Sequence, residues 1–348
     1  MARPSFVRWA IIAVLVIAAC GGTAAPSASP SGSGSASSSP IPAALVKIKS
    51  SYGNITPANL APFMAKELGL FEKHGLDVDL QLIDGGSASA AALIAGQTQL
   101  GNFGGTEVMS GVASGGDLVA IALFVPVTPW QLLAKSDYRQ PSDLKGKVVG
   151  IATKGGSAEV AATLSLKRLG LDPAKDVSVQ PFGSVANLTA AMVGGAAYAG
   201  PGHPPDTVKL LAAGFKVIVD LAADKIPATD NCTVVLKSYA VANPKVVQAY
   251  IDAEVEAIAA AKKDRAKTIS VLAKLLKLDA TKDADALAQT YVFYVSEIMP
   301  LYPHPGADAF KYTRDALVAA NPKVKDLDVA KAIDDTYVAD AEKRGVGK

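Results

Sequence analysis

Short apolar runs alternate with longer segments of helical periodicity from residue 41 onward, and this alternation constrains the fold more than any other feature. Val78–Ile83 forms a predicted strand, Ser87–Ala95 a predicted helix and Leu100–Phe103 the next predicted strand. The gap between the two strands is long enough for a helical crossover that joins parallel strands. Repeated units of this kind predict an α/β fold, with open sheets that carry helices on both faces.

The same pattern restarts midway along the chain, which gives two similar α/β units of roughly 90 residues each. We therefore predict two lobes, the first over 41–131 and the second over 132–231. The apolar segments Trp130–Ala134 and Cys232–Leu236 flank the second unit and are predicted to be the hinge strands. Residues 232–348 are expected to supply the return strand and C-terminal helices that pack mainly on the first lobe.

The C-terminal region is helical in its periodicity from Pro244 onward. Its predicted helices are Val246–Ala261, Ala266–Leu276, Asp283–Val295, Asp308–Ala319 and Val329–Lys343.

The N-terminus has the three parts of a secretory signal: basic residues, a short apolar run and small residues before a cleavage point. Arg3 and Arg8 precede the apolar run Trp9–Ala19, which is shorter than the about 20 residues that span a bilayer. The ending Ile-Ala-Ala-Cys resembles a bacterial lipobox, which implies that residues 1–20 are a lipoprotein signal and that Cys20 carries the lipid. The alternative is an ordinary signal peptide that is cut near Ala25.

Residues 21–40 contain only Gly, Ser, Ala, Pro and Thr. Such a segment cannot bury a core, so we predict a disordered tether. Its r.m.s. reach is about 25 Å, enough to hold a folded body just above a membrane. The expected location is therefore extracytoplasmic, with a lipid anchor in the cell membrane.

Composition excludes several classes of protein. The net charge is only +2, so there is no basic stripe for nucleic acid. With Cys20 assigned to the lipid, Cys232 has no partner and a disulfide framework is excluded. Because Cys232 lies in a strand-like apolar run, a buried thiol is favoured over a nucleophile.

Ligands of open parallel sheets bind beyond the carboxyl ends of the strands, at helix N-termini. Small polar residues occupy five strand-to-helix joints of this chain, where glycine lets backbone N–H groups approach a ligand and hydroxyls supply hydrogen bonds. One such joint is an ordinary turn, but five of them on two lobes favour a binding cleft. The candidate ligand-binding residues are Tyr52, Asn54, Thr56, Gly86, Ser87, Gly105, Thr106, Glu107, Thr128, Trp130, Lys154, Gly155, Gly156, Ser157, Ser184, Asn187 and His203.

Several of these candidates have an equally simple structural explanation. Lys154 could neutralise a carboxylate or sulfonate, or could be a solvated loop lysine. Glu107, in a first helical turn, is more often a partner of the helix dipole than a ligand contact. Trp130 could line the cleft, with Tyr52 as a second stacking surface, or could simply pack beside the hinge.

No catalytic site can be assembled from the sequence. His74, His203 and His304 lie in unrelated contexts without metal-ligand spacing. Neither a Gly-x-Ser-x-Gly elbow nor a phosphate-binding Gly-Lys-Ser/Thr loop is present. We therefore predict no catalytic residue, no metal and no cofactor.

Four segments together resemble the nitrate/sulfonate/thiamine-precursor group of ABC transporter substrate-binding proteins. They are Ala61–Val78, with its Lys-Glu-Leu-Gly-Leu-Phe-Glu-Lys-His-Gly-Leu core, Ala91–Gln97, Asp143–Gly150 and Leu169–Asp172. The chain departs from that group at Gln99 and Tyr198, where relatives often carry a structural Asp after the Gly that ends a helix.

The resemblance implies a two-lobed periplasmic-binding-protein-like fold. It also implies a monomer that captures a small polar or anionic organic solute in an interlobe cleft and delivers it to a membrane ABC permease. Two alternatives remain open at this point: an exported enzyme on the same fold, and a solute-sensing lipoprotein that partners a receptor.

Overall fold

The computed structural model describes residues 44–319 and 321–348. The first lobe is built on a five-stranded sheet in the order β2-β1-β3-β10-β4. Strand β1 is parallel to β2 and β3, whereas β10 is antiparallel to both of its neighbours. The strands are β1 (Val46–Tyr52), β2 (Leu76–Leu82), β3 (Leu100–Phe103), β4 (Leu118–Leu123) and β10 (Cys232–Leu236).

The second lobe repeats this arrangement in a sheet with the order β7-β6-β8-β5-β9. Strand β6 is parallel to β7 and β8, and β5 is antiparallel to β8 and β9. The prediction of a two-lobed α/β fold is therefore confirmed. The strands are β5 (Gln131–Ala134), β6 (Val148–Ile151), β7 (Ser178–Pro181), β8 (Ala199–Gly202) and β9 (Lys216–Asp220).

Two crossing segments, 124–130 and 221–231, connect the lobes. They run side by side in opposite directions: the Thr128 N–H donates to the Ile226 carbonyl at 2.7 Å, and the Ala228 N–H donates to the Pro126 carbonyl at 3.0 Å. The two segments predicted to be hinge strands do not make this crossing. They form β5 and β10, each of which is an antiparallel strand inside a sheet. Their apolar character reflects this burial within the sheets, and the residues that make the crossing precede each of them in the chain.

Helices cover both sheets. Those of the first lobe are α1 (Leu60–Glu67), α2 (Leu70–Lys73), α3 (Gly86–Ile94) and α4 (Gly105–Ala113), and those of the second are α5 (Ser157–Arg168), α6 (Val185–Val193) and α7 (Asp206–Ala212). A 3-10 turn at Pro57–Asn59 leads into α1. Helix α6 begins where the Ser184 hydroxyl accepts the Asn187 N–H at 3.1 Å, an ordinary N-cap.

The C-terminal helices pack on the first lobe. Tyr250, fully buried, stacks on Phe71 with ring centroids 4.9 Å apart, and its hydroxyl lies 2.9 Å from the Ser50 hydroxyl of β1. These helices are α8 (Lys237–Ala242), α9 (Pro244–Lys263), α10 (Arg265–Leu276), α11 (Ala284–Thr290), α12 (Ala307–Leu317) and α13 (Thr336–Arg344). None of the described helices is both long and apolar enough to cross a membrane.

Two predicted C-terminal helices differ from the structure. The predicted helix 283–295 continues from α11 as a π-helix, Tyr291–Ile298. The predicted helix 329–343 is wrong as one element, because it divides into a 3-10 turn at Val329–Ala332 and α13. Between them Ile333 pairs with Ala120 of β4, and the Asp334 N–H donates to the Ala120 carbonyl at 2.9 Å. This edge pairing holds the chain extended, so the helix is interrupted.

The two departures from the family pattern lie at equivalent places, just before β3 and β8. The Gln99 side-chain oxygen accepts the Lys49 N–H at 2.9 Å. The Tyr198 hydroxyl donates to Asp137 at 2.9 Å, and the Lys147 ammonium lies 5.5 Å from the centre of the Tyr198 ring. Each replacement therefore has its own local partner in this chain.

Candidate functional site

A cavity of about 440 Å3 lies between the two lobes. Its walls include the loops that follow β1, β2 and β3 in the first lobe and β6, β7 and β8 in the second. Because these strands are parallel within each sheet, their carboxyl ends share one edge, and that edge borders the cavity in both lobes. The crossing segments and parts of α10 and α12 complete the walls.

Most of the candidate residues come together in this cavity. Trp130 and His203 are buried in its lining, at 4% and 5% exposure, and Glu107 is partly buried there. The candidates that line the cavity are Asn54, Thr56, Gly86, Thr106, Glu107, Thr128, Trp130, Gly156, Ser157, Ser184 and His203. The structure thus gathers residues from the five predicted joints, from the loop after β8 and from a crossing segment, although the sequence separates them by up to 149 positions.

Six candidates lie outside the lining: Tyr52, Ser87, Gly105, Lys154, Gly155 and Asn187. Lys154 and Ser87 are solvent-exposed, and the Gly155 N–H donates to Glu159 at 2.5 Å. The Asn187 N–H is used for the N-cap of α6.

The other two candidates that lie outside the lining, Tyr52 and Gly105, have structural roles. The Tyr52 ring packs edge-on against Phe63 with centroids 5.1 Å apart, which uses it for packing within the first lobe. The Gly105 N–H donates to the Thr229 carbonyl at 2.8 Å, so this glycine joins α4 to the second crossing segment.

Two glycines make room for the Glu107 carboxylate. A Cβ atom at Gly86 would lie 2.6 Å from Glu107 Oε1, and one at Gly104 would lie 2.6 Å from Glu107 Oε2. The Thr106 hydroxyl donates to Oε2 at 2.6 Å. Burial raises the pKa of Glu107, the Thr106 hydrogen bond opposes this shift, and the nearby Asp230 charge adds to it. The carboxylate is therefore held in one place by close backbone contacts.

Asp230 is the second carboxylate at the cavity and stands in the second crossing segment. Burial raises its pKa, while the charge of His203 and a hydrogen bond from Ser157 lower it. His203 Nδ1 lies 3.1 Å from the Pro204 carbonyl oxygen, which only accepts, so Nδ1 carries a proton. Two residues of the second lobe, His203 and Ser157, thus act on a carboxylate of the crossing segment.

A row of rings lies beside these carboxylates. The Trp130 and His203 rings meet edge-on at 4.5 Å between centroids, and the His203 ring meets Tyr294 at 5.8 Å. Tyr294 belongs to the π-helix and to the core of the first lobe, whereas His203 follows β8 of the second. The row therefore connects the two lobes next to the cavity.

Several cavity-lining residues bury a polar atom that has no hydrogen-bond partner within residues 44–319 and 321–348. These atoms are Trp130 Nε1, Thr229 Oγ1, Asn231 Oδ1 and Thr313 Oγ1. Trp130 Nε1 lies near Asp230 without forming a hydrogen bond. A buried polar group without a partner costs about 1–3 kcal/mol. The cavity wall therefore contains polar atoms whose hydrogen-bonding capacity is not used by the described residues.

Sequence reasoning missed four charged members of the lining, Asp84, Asp206, Lys209 and Asp230, and several apolar ones. Asp230 lies in the polar run Thr229–Asn231, directly before β10. This run was the available signal, because the start of an antiparallel strand lies at the same edge of the sheet as the ends of the parallel strands. The remaining missed residues include Asp84, Phe103, Leu276, Leu278 and Tyr312. Those from α12 and the end of α10 carried no signal, because only packing brings them over the cleft.

The described residues contain no cluster of three or more His, Cys, Asp or Glu side chains that could hold a metal ion. Cys232 is fully buried within β10, and burial raises the pKa of its thiol well above the usual value. A thiol of this kind is an apolar core group and not a nucleophile.

Two α/β lobes of matching topology, two crossing segments and a cleft at the strand ends define a periplasmic-binding-protein fold. Residues 57–267 match the family described as NMT1/THI5 like. This match covers more than half of the chain, and the protein belongs to that family. The family expected from the four sequence segments is thereby confirmed.

Individual relatives agree with this assignment. A Brucella abortus (strain 2308) protein, named as an inferred binding protein, is 28% identical over 225 residues, which cover 62% of this chain and 67% of the relative. The alkanesulfonate-binding protein SsuA from Xanthomonas axonopodis pv. citri, solved with MOPS, superposes with a TM-score of 0.68. It is 23% identical, and the match covers 84% of this chain and all of that one.

One similar structure is an enzyme. A mutant of the desulfurization enzyme DszB, solved with biphenyl-2-sulfinic acid, superposes with a TM-score of 0.63 at 15% identity, covering 86% of this chain and 99% of that one. The likeness at this identity concerns the fold alone, so the fold hosts binding proteins and an enzyme alike.

Proposed function

We propose that this protein is a lipid-anchored, extracytoplasmic solute-binding protein that captures a small polar organic solute between its lobes and delivers it to an ABC importer. The observation that carries the proposal is the cleft: both lobes contribute to it, and four of its lining residues bury unpartnered polar atoms. Membership of the family and the likeness to SsuA support the same role.

The proposed mechanism is a shift between open and closed arrangements of the lobes. A solute that contacts both lobes favours the closed arrangement, because only closure makes all of its contacts at once. The paired crossing segments are short and hydrogen-bonded to each other, so they are suited to act as the hinge. The closed form would then dock on a membrane permease, with the lipid at Cys20 and the tether 21–40 keeping it near the membrane. Both of these segments lie outside the described residues.

An enzymatic role has less support. Its support is the likeness to the enzyme DszB, which concerns the fold alone. The receptor-linked sensor shares the binding step with the transport proposal and differs from it only in the partner.

The test is solute-dependent closure of the full chain. We expect that a small-molecule extract of the producing cells lowers the radius of gyration in small-angle X-ray scattering and shifts the emission of Trp130, the only tryptophan beyond residue 9. Dialysis to remove the extract should reverse both changes. If the extract leaves scattering and emission unchanged, the proposed function is wrong.

A further inference from the structure

The cleft is acidic. Four carboxylates line it, those of Asp84, Glu107, Asp206 and Asp230, against a single lysine, Lys209. Asp84 and Lys209 are exposed at the rim, whereas Glu107 and Asp230 are partly buried. Among the described lining residues there is no arginine, the side chain best suited to sulfonate or carboxylate. The carboxylates therefore outnumber the cationic groups even when His203 is protonated.

A chain of side-chain amides adds another acceptor. Asn59 Nδ2 donates to the Asn54 carbonyl oxygen at 2.8 Å, and a carbonyl oxygen only accepts. Asn59 Oδ1 must then be the acceptor of its amide, and Asn231 Nδ2 donates to it at 2.9 Å. Asn231 Oδ1, buried at the cavity, is left without a donor. The orientation of this amide follows from the network, and its oxygen is an acceptor in the wall of the cavity that no described residue uses.

The carboxylate of Glu107 is a second acceptor at the cavity, and the backbone around it fixes its position. Its two oxygens lie against the backbone of Gly86 and Gly104, where any Cβ atom would come within 2.6 Å. The buried ring of Trp130 stands in the same wall, and the face of an indole attracts cations. Acceptors and an aromatic face together are what an organic cation needs.

Resting on the proposed function, we infer that the cleft binds an organic solute with a basic nitrogen group, such as an amine, an amidine or a protonated nitrogen ring. Glu107, Asp230 and Asn231 Oδ1 would accept its N–H groups, and Trp130 would lie against the cation. Lys154, the residue that suggested an anion, is exposed outside the lining. The site therefore differs in charge from what a nitrate or sulfonate requires.

The experiment is capture of solute by the purified full chain from the same cell extract, followed by gel filtration, denaturation and mass spectrometry of what is released. A released solute with a basic nitrogen supports the inference. A released solute without one, such as a plain sulfonate or carboxylate, overturns the inference and leaves the proposed function standing. If no solute is retained, the proposed function fails.

The captured solute is then titrated calorimetrically against variants. We expect Glu107→Gln and Asp230→Asn each to weaken binding by about tenfold or more, since a charged hydrogen bond is lost while shape is kept. The matched controls are Glu297→Gln and Asp308→Asn, both exposed. Unchanged affinity in both cleft variants would overturn the assignment.

A second variant tests the role of Glu107 without changing a carboxylate. Gly86→Ala should displace Glu107 and weaken binding to a similar degree, whereas Gly306→Ala should not, because a Cβ atom there meets nothing within 4 Å. Circular dichroism of each variant shows whether the fold is retained, and a folded Gly86→Ala protein that binds normally would contradict the role of Glu107.

Discussion

At the scale of the residue, Glu254 of α9 is a fully buried carboxyl outside the cleft. Its carboxyl lies 2.8 Å from the Thr233 hydroxyl of β10, which in turn accepts Asn102 Nδ2 of β3 at 2.9 Å. Burial raises the pKa of Glu254 to about 8, and the hydrogen bonds from Thr233 and Asn102 oppose the shift. This network ties α9 to the centre of the first sheet.

The raised pKa makes stability depend on pH. The folded protein binds the Glu254 proton more tightly than the unfolded chain, whose pKa is near 4.5, so the contribution of this group is complete below pH 4.5. It is lost as the pH rises to about 8, at up to about 1.4 kcal/mol per pH unit.

We expect Glu254→Gln to flatten this dependence, because the amide does not titrate. Urea unfolding at pH 5, 6, 7 and 8 measures it, with the exposed Glu297→Gln as control. Parallel profiles for the wild type and Glu254→Gln would show that the carboxyl is ionised in the folded protein throughout this range.

At the scale of the element, α13 contacts α9 through the buried carboxylate of Asp252. Asp252, whose side chain is 8% exposed, accepts Arg344 Nη2 at 2.6 Å and Gln248 Nε2 at 2.8 Å. Arg344 also pairs with Asp340 of its own helix at 2.6 Å. The last helix of the chain thus holds its position through a polar contact in addition to the buried Val338 and Ala341.

Arg344→Gln should lower the free energy of unfolding by about 1–3 kcal/mol, since Asp252 loses its charged partner and remains largely buried. Lys343→Gln, one residue earlier and exposed, is the matched control and should change little. Urea unfolding of both variants makes the comparison. An equal loss in the two would mean that general charge at the helix end matters and the Asp252 contact does not.

At the scale of the whole molecule, His203 is the contact through which the second lobe meets the first beside the cleft. Its ring lies between Trp130 and Tyr294. Because this row of rings connects the two lobes, their relative position should be sensitive to it.

We expect His203→Ala to increase the radius of gyration of the solute-free protein in small-angle X-ray scattering, as the lobes separate. His74→Ala is the control, since that ring lies on the first lobe and contacts Glu256 at 3.2 Å. An unchanged radius for His203→Ala would mean that the backbone of the crossing segments alone sets the lobe arrangement.

Sequence patterns predicted most elements because apolar periodicity is local. They failed where a distant partner decides the conformation. Residues 329–344 have helical periodicity, but Ile333 pairs with β4 and divides the helix. The predicted hinge strands β5 and β10 are apolar because they lie inside sheets, a fact that depends on strand order. Lys154 and Asn54 stand in similar joints, yet only Asn54 reaches the cleft.

The sequence by itself determined the α/β class, the two-lobe repeat, the family and the joints from which nine of the eleven predicted cavity residues come, because each depends on short-range spacing. Only the tertiary structure determined that carboxylates outnumber cationic side chains in the wall of the cavity. Glu107 follows β3, Asp230 precedes β10 and Asn231 is oriented by Asn59, so their meeting in the wall of one cavity depends on how the strands pair and how the lobes meet. The charge of a site depends on which side chains the fold brings together there, and a local sequence pattern does not contain that information.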